Sequence, residues 1–286
     1  MLARGDRTGN NDRVGNYLTI DLRSDDGHLF ASIDPVLGGR LTRLSFDGTP
    51  LLIDAGHPRA VHPLGWGCYP MVPYCGRVRD ARLSFGGRSH DLPVSADPHS
   101  IHGTTFDRRW DVVDADESSV ELCTDLGPHW PFLGHVVHHV SLGPGSLSLR
   151  LTVEAGEDMP VMVGWHPWFV KPDSSPTELR TMLRRDDSGI ASTERVVRPA
   201  GPVDDCFVGR FDGRSSDADE LLTFRIANVD LGLSSDCTHW VLYDEPRHAT
   251  CVEPQSGPPN QVNDAPVVLA AGESMTRWFR IHMIVS

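Results

Sequence analysis

Short segments that alternate apolar and polar residues follow one another along most of the chain. They end at turn signals such as "DG", "GG" and "GPG", and they include 17–24, 29–34, 41–46, 119–126, 147–155, 239–244 and 276–285. Because side chains alternate between the two faces of a strand, each segment predicts a strand with one buried face. No window of a dozen residues shows a helical stripe. The pattern therefore predicts an all-β fold, a large antiparallel β-sandwich with few or no long helices.

Composition supports the same fold. Apolar residues make up 39% of the 286-residue chain, and 27 Gly and 22 Pro interrupt it at short intervals. A chain of this length has room for two domains, but all-β sandwiches of this size often form one unit. We expect a single β-sandwich domain over 17–286, preceded by a disordered polar segment over 1–16.

Charge and apolar runs limit the partners. The formal net charge of −13 argues against nucleic acid, which is bound by clustered Lys and Arg. No run of 18 apolar residues occurs, and the first residues lack the apolar stretch of a signal peptide, so no membrane association is expected. The six cysteines form no C-x-x-C pair and are interpreted as reduced thiols. Together these features predict a cytoplasmic protein.

Two segments depart from the strand pattern. Residues 56–80 and 165–176 are rich in Pro, Gly, Trp and His. They are too constrained for a flexible linker and too aromatic for a solvated loop. Loops held on a rigid scaffold commonly carry binding groups. These segments are the first candidates for a functional site.

Four polar residues in aromatic or apolar surroundings are candidates for chemistry. His166 and Glu253 each end a largely apolar strand and precede a proline, which holds them in extended geometry. A carboxylate in such surroundings needs partners or a raised pKa. Arg77 and His102 are also candidates, but a surface ion pair and a turn explain them equally well. Spacing alone leaves both interpretations open.

Metal and nucleotide sites are not supported. His135 and His139 share a strand face, but no acidic or cysteine ligand follows at a useful spacing. His99 and His102 are three residues apart in a segment that does not read as a helix. No P-loop and no G-x-G-x-x-G after a strand occur. The sequence predicts no metal and no cofactor.

The candidate residue types together suggest proton transfer on a sugar. Unperturbed pKa values of about 4.3 for Glu and about 6.5 for His allow an ionised base and a protonated acid to coexist near pH 7, if carboxylates lie near the histidine. Tryptophan faces suit the apolar C–H surfaces of a sugar ring. The set fits carbohydrate acid–base chemistry.

Five motifs in order along the chain resemble one family. They are "YPMVPYCGRVRDARLSFGGRSHDLP" (69–93), "IHGTTFDRRW" (101–110), "GWHPWF" (164–169), "VDDCF" (203–207) and "CVEPQSGPPN" (251–260). In this order they resemble the aldose 1-epimerases, or galactose mutarotase-like proteins. The resemblance implies an antiparallel β-supersandwich with a sugar site on its concave face, which agrees with the period-two pattern.

The resemblance also implies residue roles. Glu253 resembles the general base that takes the proton of the C1 hydroxyl, and His166 the general acid that protonates the ring oxygen. His102 resembles a second histidine that polarises the ring and C1 oxygens. Arg77 and Asp204 resemble contacts to sugar hydroxyls. No cofactor is implied.

One position departs from the family pattern. Many members have Asn immediately before the arginine, whereas this chain has Gly76, which leaves the sugar specificity open. Trp165 and Trp130 are expected to rebuild the binding pocket, although the cluster "WPF" (130–132) is also typical of a core.

The sequence thus predicts an aldose 1-epimerase acting on a free aldose. One alternative is a hexose-6-phosphate 1-epimerase, with Arg108 and Arg109 as phosphate contacts, although Asp107 and Asp111 offer them ordinary ion pairs. Another is a carbohydrate-binding protein without catalysis on the same fold. A monomer and a homodimer are both compatible with the sequence.

Overall fold

A computed structural model of the chain describes residues 13–14, 17–209 and 221–284. The segment 1–16, predicted to be disordered, lies outside this description except for Arg13–Val14, which pairs with Tyr17–Leu18.

Strands make up nearly all the regular structure. In chain order they are β1 (Arg13–Val14), β2 (Tyr17–Leu18), β3 (Ile20–Arg23), β4 (Leu29–Asp34), β5 (Arg40–Phe46), β6 (Thr49–Pro50), β7 (Cys68–Met71), β8 (Arg77–Val78), β9 (Arg82–Phe85), β10 (Arg88–Asp91), β11 (Ser100–Ile101), β12 (Asp111–Ala115), β13 (Ser119–Asp125), β14 (Gly134–Gly143), β15 (Ser146–Ala155), β16 (Met159–Val161), β17 (Gly164–Val170), β18 (Thr181–Arg185), β19 (Ala191–Val197), β20 (Asp204–Val208), β21 (Leu222–Ile226), β22 (Val229–Ser235), β23 (His239–Tyr243), β24 (Ala249–Gln255), β25 (Val267–Leu269) and β26 (Ser274–Ile284). Within the described ranges, the helical segments are a 3-10 turn at Arg79–Ala81 and α1 (Gln261–Asp264). The predicted all-β class without long helices is confirmed.

Two large antiparallel sheets form the sandwich. The smaller has the order β12-β13-β14-β15-β26-β22-β21, and the larger β19-β18-β20-β23-β24-β17-β7-β5-β4-β3, with β6 paired to β5. The sheets pack face to face. Trp165 of β17 reaches His138 of β14, and both Trp165 and Trp240 contact Phe279 of β26, with ring centroids 6.0 Å apart.

The alternating sequence pattern accounts for this packing. In β15, Leu147, Leu149, Leu151 and Val153 are at most 1% exposed, whereas the residues between them face outward. A period of two therefore puts one face of the strand in the core. One continuous apolar cluster draws residues from both sheets.

Strands β17 and β24, in the middle of the larger sheet, are buried on both faces. All seven residues of β24 and six of seven in β17 are buried. The face away from the smaller sheet is covered by loops that include Val72 and Gly103, which form a parallel bridge. Polar side chains on this covered face are removed from water.

Gly103 allows this loop to approach Val72. Its φ is +86°, and a Cβ there would lie 2.0 Å from the Val72 carbonyl oxygen. We expect Gly103→Ala to lower the free energy of unfolding by more than about 3 kcal/mol, since it adds a backbone clash to a left-handed conformation.

Gly86→Ala is the matched control, because Gly86 has φ +59° and open space around the added Cβ. It should cost only the left-handed penalty of about 1–2 kcal/mol. Chemical denaturation followed by circular dichroism compares the two, and equal losses would contradict the steric argument.

Candidate active site

His166 and Glu253 lie opposite each other on neighbouring strands. The pairs Gly164–Gln255 and Trp168–Cys251 flank them in the β17–β24 register. Counting inward from these two pairs places His166 directly across from Glu253. Side chains paired in this way on one sheet face are about 5 Å apart at Cβ. The strand register therefore brings an acid and a base into contact.

The two side chains touch directly. His166 Nε2 lies 3.1 Å from Glu253 Oε1, and the side chains are 6% and 2% exposed. Gln255, two residues further along the same face, donates from Nε2 to Glu253 Oε2 at 3.0 Å. His166 Nδ1 has no hydrogen-bond partner within the described part of the chain. The carboxyl group is thus held on both oxygens.

His102 reaches the same point from a loop. Its φ is +62°, and its backbone N–H donates to the Gly76 carbonyl at 3.2 Å. The Gly76 N–H donates to His102 Nδ1 at 3.3 Å, and an N–H donor requires Nδ1 to be the unprotonated nitrogen. His102 therefore carries its proton on Nε2. Its ring is perpendicular to that of His166, with centroids 4.8 Å apart.

Two aromatic rings pack against His166. Tyr69 stacks on it with centroids 4.9 Å apart and Trp168 with centroids 5.4 Å apart. Trp168 Nε1 donates to the Leu64 carbonyl at 2.7 Å, which fixes the indole. The Arg40 guanidinium carbon lies 4.7 Å from the centroid of the Tyr69 ring. This stack prevents rotation of the imidazole and offers electron-rich faces to a protonated ring.

Burial pushes each member of the pair toward its neutral form. Desolvation raises the pKa of Glu253 well above its usual range, and the nearby charge of Asp204 adds to the effect. Desolvation lowers the pKa of His166 well below its usual range. Burial also lowers the pKa of His102 to about 3, with a smaller contribution from Arg77. The sequence predicted an ionised Glu and a protonated His, whereas the burial seen here favours a pair that is neutral at rest.

A polar margin borders this pair. Asp204 accepts from Arg185 Nη1 and Nη2 at 3.1 and 3.2 Å, and Arg77 Nη2 lies 4.0 Å from it. The Arg77 and Asp204 side chains are each about a quarter to a third exposed. The structure therefore gathers Glu253, His166 and His102 into one cluster, with a partly open carboxylate and guanidinium beside it.

Gly76 leaves no room for the Asn found in many family members. It has φ +64°, and a Cβ would lie 2.7 Å from Pro259 Cγ. An Asn at this position requires Pro259 to move. In place of an amide, the site has the Gly76 backbone, which orients His102.

Trp165 is not among the residues brought together at the site. It neighbours His166 in a strand and points to the opposite face, where it is fully buried between the sheets and donates from Nε1 to His138 Nε2. The interpretation of Trp165 as a substrate contact is corrected to a core residue for this physical reason.

Trp130 lies in a separate aromatic cluster. Its ring is 3% exposed and packs against Tyr74 and Phe132, with centroids 5.8 and 5.7 Å away. Within the described residues its ring contacts do not include His102 or His166. The contacts agree with the core interpretation of "WPF", and a sugar contact at Trp130 stays a prediction.

Within the described ranges, His102, His166 and Glu253 also form a group whose ligand atoms could hold a metal ion. One ligand atom from each lies within 4.8 Å of the other two. His99 turns away, since its Nδ1 accepts from the Asp80 backbone at 3.0 Å. His135 faces Glu154 on an exposed strand.

Three site residues had little or no individual sequence signal. Gln255 follows Glu253 by two positions, and strand parity places both on one face. Arg185 lies in the charge run "RRDD", which resembles an ordinary solvated segment. Tyr69 lies inside the first family motif, but neither its spacing nor its neighbours in the sequence indicate a role for it. Strand alternation was the signal that could have found Gln255 and excluded Trp165.

Comparison with known proteins identifies the family. Residues 25–282 match the family model described as aldose 1-epimerase, so the chain belongs to the aldose 1-epimerase family. The uncharacterised protein YphB of Escherichia coli K12 is 27% identical over 128 residues, which cover 43% of this chain and 41% of YphB. The match thus spans about two fifths of that relative.

Solved structures share the fold at low identity. A candidate aldose 1-epimerase of Escherichia coli K12 superposes with a TM-score of 0.79 at 20% identity, covering 95% of this chain and 100% of the other. A galactose mutarotase-like protein of Clostridium acetobutylicum gives 0.80 at 16%, covering 97% and 98%. The galactose 1-epimerase of Lactobacillus acidophilus NCFM gives 0.77 at 15%, covering 96% and 97%. The galactose mutarotase-like fold predicted from the motifs is confirmed.

Two further predictions from the sequence concern the cysteines and membrane-spanning segments. All six cysteines are free thiols, five of them buried. Over the described ranges, no helix has the length and apolar character needed to cross a membrane.

The raised pKa of Glu253 predicts how stability changes with pH. Because the folded-state pKa lies above the usual 4.5, the native state keeps a proton that the unfolded chain releases, and stability falls as pH rises from 4.5 toward the folded-state value. Glu253→Gln removes this loss. We expect its stability to match wild type near pH 4.5 and to exceed it increasingly up to pH 8, by at most about 1.4 kcal/mol per pH unit.

Thermal unfolding followed by circular dichroism at four pH values tests this. Glu117→Gln, which alters an exposed carboxylate between β12 and β13 with no ion pair among the described residues, is the control and should show no such trend. A Glu253→Gln variant that loses stability relative to wild type as pH rises would show instead that an ion pair with His166 stabilises the fold.

Proposed function

We propose that the chain is an aldose 1-epimerase that interconverts the α and β anomers of a free aldose by opening and closing the ring. The observation that carries the proposal is the buried contact between Glu253 and His166, with the Nε2–H of His102 beside it. Membership of the aldose 1-epimerase family supports it.

The polar margin supports binding of sugar hydroxyls. Asp204 offers carboxylate oxygens as acceptors, while Arg77 offers guanidinium N–H donors. Arg185 fixes the Asp204 carboxylate through contacts from its Nη1 and Nη2 atoms. A hydroxyl group both donates and accepts, so an acceptor next to a donor suits it. These contacts orient the ring over the acid and base.

One proton serves the acid–base pair. A neutral Glu253 with a neutral His166 and an ionised Glu253 with a protonated His166 hold the same number of protons. Transfer of a proton across the 3.1 Å contact converts one form into the other without exchange with solvent. Tyr69 and Trp168 stabilise the imidazolium through their faces. The reactive form is reached when the sugar oxygens replace the direct contact.

The proton transfers of ring opening are reversed in ring closure. Glu253 takes the proton of the C1 hydroxyl, His166 gives its proton to the ring oxygen, and the bond between C1 and the ring oxygen breaks to leave an aldehyde. The Nε2–H of His102 donates a hydrogen bond to the ring or C1 oxygen, whichever carries the developing negative charge. After rotation about the C1–C2 bond, the C5 hydroxyl attacks the other face of the carbonyl. His166 regains its proton and Glu253 returns its own to the C1 oxygen.

A binding protein without catalysis is less well supported. A protein that only binds sugar hydroxyls needs hydrogen-bonding groups but no acid–base contact removed from water. Burying two ionisable groups lowers the free energy of unfolding, and a binding protein gains nothing in return. Calorimetric binding of an aldose without faster anomer exchange would favour the binding alternative.

Replacing the base tests the reaction. We expect Glu253→Gln to lower kcat for mutarotation of α-D-glucose or α-D-galactose by a factor of about 10²–10⁴, because the amide conserves volume but accepts no proton. Polarimetry on freshly dissolved sugar measures the rate above the buffer blank. Glu154→Gln, at an exposed position on the outer face of β15, should keep wild-type kcat. Near-native turnover in Glu253→Gln would remove Glu253 from the mechanism.

Adjacent aspartates test the binding role. Asp204 contacts both Arg77 and Arg185 near the site, whereas Asp205, the next residue in β20, contacts Arg185 Nε at 3.8 Å but has no ion pair with Arg77 among the described residues. We expect Asp204→Asn to raise KM at least about tenfold with a smaller effect on kcat, because a hydrogen bond to a charged group is lost. Asp205→Asn should raise KM several-fold less than Asp204→Asn, because it removes one contact to Arg185 and leaves Asp204 and its contact to Arg77 in place. Equal effects of the two variants would contradict the assignment of Asp204.

A further inference from the structure

A cavity adjoins the candidate active site. It encloses about 700 Å³ and lies between the loop after β6 and the β23–β24 turn. Ligand pockets typically enclose about 300–1,000 Å³, so it has room for a group larger than a hydroxymethyl. Its lining includes His57, Arg59, Glu245, Arg247 and His248.

Two walls of the cavity are shared with the candidate active site. Trp168 lines the cavity, and one face of its ring stacks on His166 while it also stacks on His248. Tyr243 lines the cavity with its ring edge-on to Trp168, and it pairs with Asp204 in the strand register. The cavity therefore begins one side chain away from the acid and from the hydroxyl contact.

The cavity presents mainly donors and positive charge. Arg59 and Arg247 are exposed, and neither lies within 4.0 Å of a carboxylate oxygen of the described residues. The His57 and His248 rings stack with centroids 5.0 Å apart, and His57 Nδ1 accepts from the Arg59 backbone, which leaves its Nε2–H as a donor. Glu245 is the one acidic residue in the lining.

The positive charge around the cavity also acts on His248. Burial lowers its pKa, and the positive charges of His57, Arg59 and Lys171 lower it further. Positive potential without a paired anion is the setting in which a phosphate or carboxylate binds.

Arg108 and Arg109, the phosphate contacts considered from the sequence, are engaged elsewhere. Arg108 Nη1 lies 2.6 Å from Asp125 and Arg109 Nε lies 3.8 Å from Asp111. Arg77 and Arg185 lie beside the site but face Asp204, so the cavity supplies the further cations next to the site.

We propose that this cavity is an anion subsite, in which Arg59 and Arg247 bind a phosphate or carboxylate group carried by the aldose whose C1 faces Glu253 and His166. The inference rests on the proposed function and names the class of substrate, an anionic aldose. Tyr243 and Trp168 form the wall over which the substituent passes.

Paired substrates and variants test the subsite. Mutarotation is measured above the buffer blank for glucose 6-phosphate, glucuronate and glucose, with wild type, Arg59→Gln, Arg247→Gln and Arg88→Gln, whose arginine is exposed on β10. We expect wild type to have a higher kcat/KM for one of the anionic sugars. Arg59→Gln and Arg247→Gln should each lower that value on the order of tenfold and change the value for glucose less than twofold. Arg88→Gln should match wild type.

The outcomes separate the two proposals. Turnover of glucose without preference for either anionic sugar overturns the subsite and leaves the proposed function standing. Equal losses for charged and neutral sugars in the arginine variants also overturn it. If no sugar is turned over, the proposed function fails, and calorimetry with glucose 6-phosphate and glucuronate then decides the subsite. Binding that is weakened by Arg247→Gln but not by Arg88→Gln supports it, and absence of binding overturns it.

Discussion

Glu253 and His166 meet at 3.1 Å on two neighbouring strands whose side chains are buried on both faces. Everything else in the site follows from that contact. The antiparallel register sets the distance, so the geometry of the pair is as rigid as the sheet itself. Burial makes a separated charge unfavourable, so the two groups are best described as sharing one proton. A proton-transfer enzyme gains from this arrangement, because the pair needs no exchange with solvent between turnovers.

Backbone geometry places the third member of the cluster. His102 adopts a left-handed conformation in a loop, and its two hydrogen bonds with Gly76 fix both its position and its tautomer. Gly76 is itself left-handed and packed against Pro259. The departure from the family pattern at this position is therefore tied to local packing, and the backbone amide performs the orienting role.

The sequence predicted the sheet fold, and it selected Glu253 and His166, whose side chains the structure brings into contact. Period-two alternation reports burial directly, but the proline after His166 and after Glu253, expected to mark a strand end, lies inside β17 (Gly164–Val170) and β24 (Ala249–Gln255). Long-range pairing is different. Nothing local indicates that Arg185 lies against Asp204, because the strands that carry them come together only in the folded sheet. Trp165 shows the opposite case, since alternation with His166 already placed it on the other face.

Protonation was the least predictable feature, because it depends on how deeply each group is buried. Unperturbed pKa values place Glu253 ionised, and nearby carboxylates were expected to keep His166 charged, while desolvation shifts both groups toward neutral. Arg77 acts on two members of the cluster at once, lowering the pKa of Glu253 and that of His102. The same guanidinium that is proposed to bind a sugar hydroxyl thus helps Glu253 to ionise and adds to the burial that keeps His102 a neutral donor. Removing its charge would therefore change the protonation of the cluster as well as the contacts to the sugar.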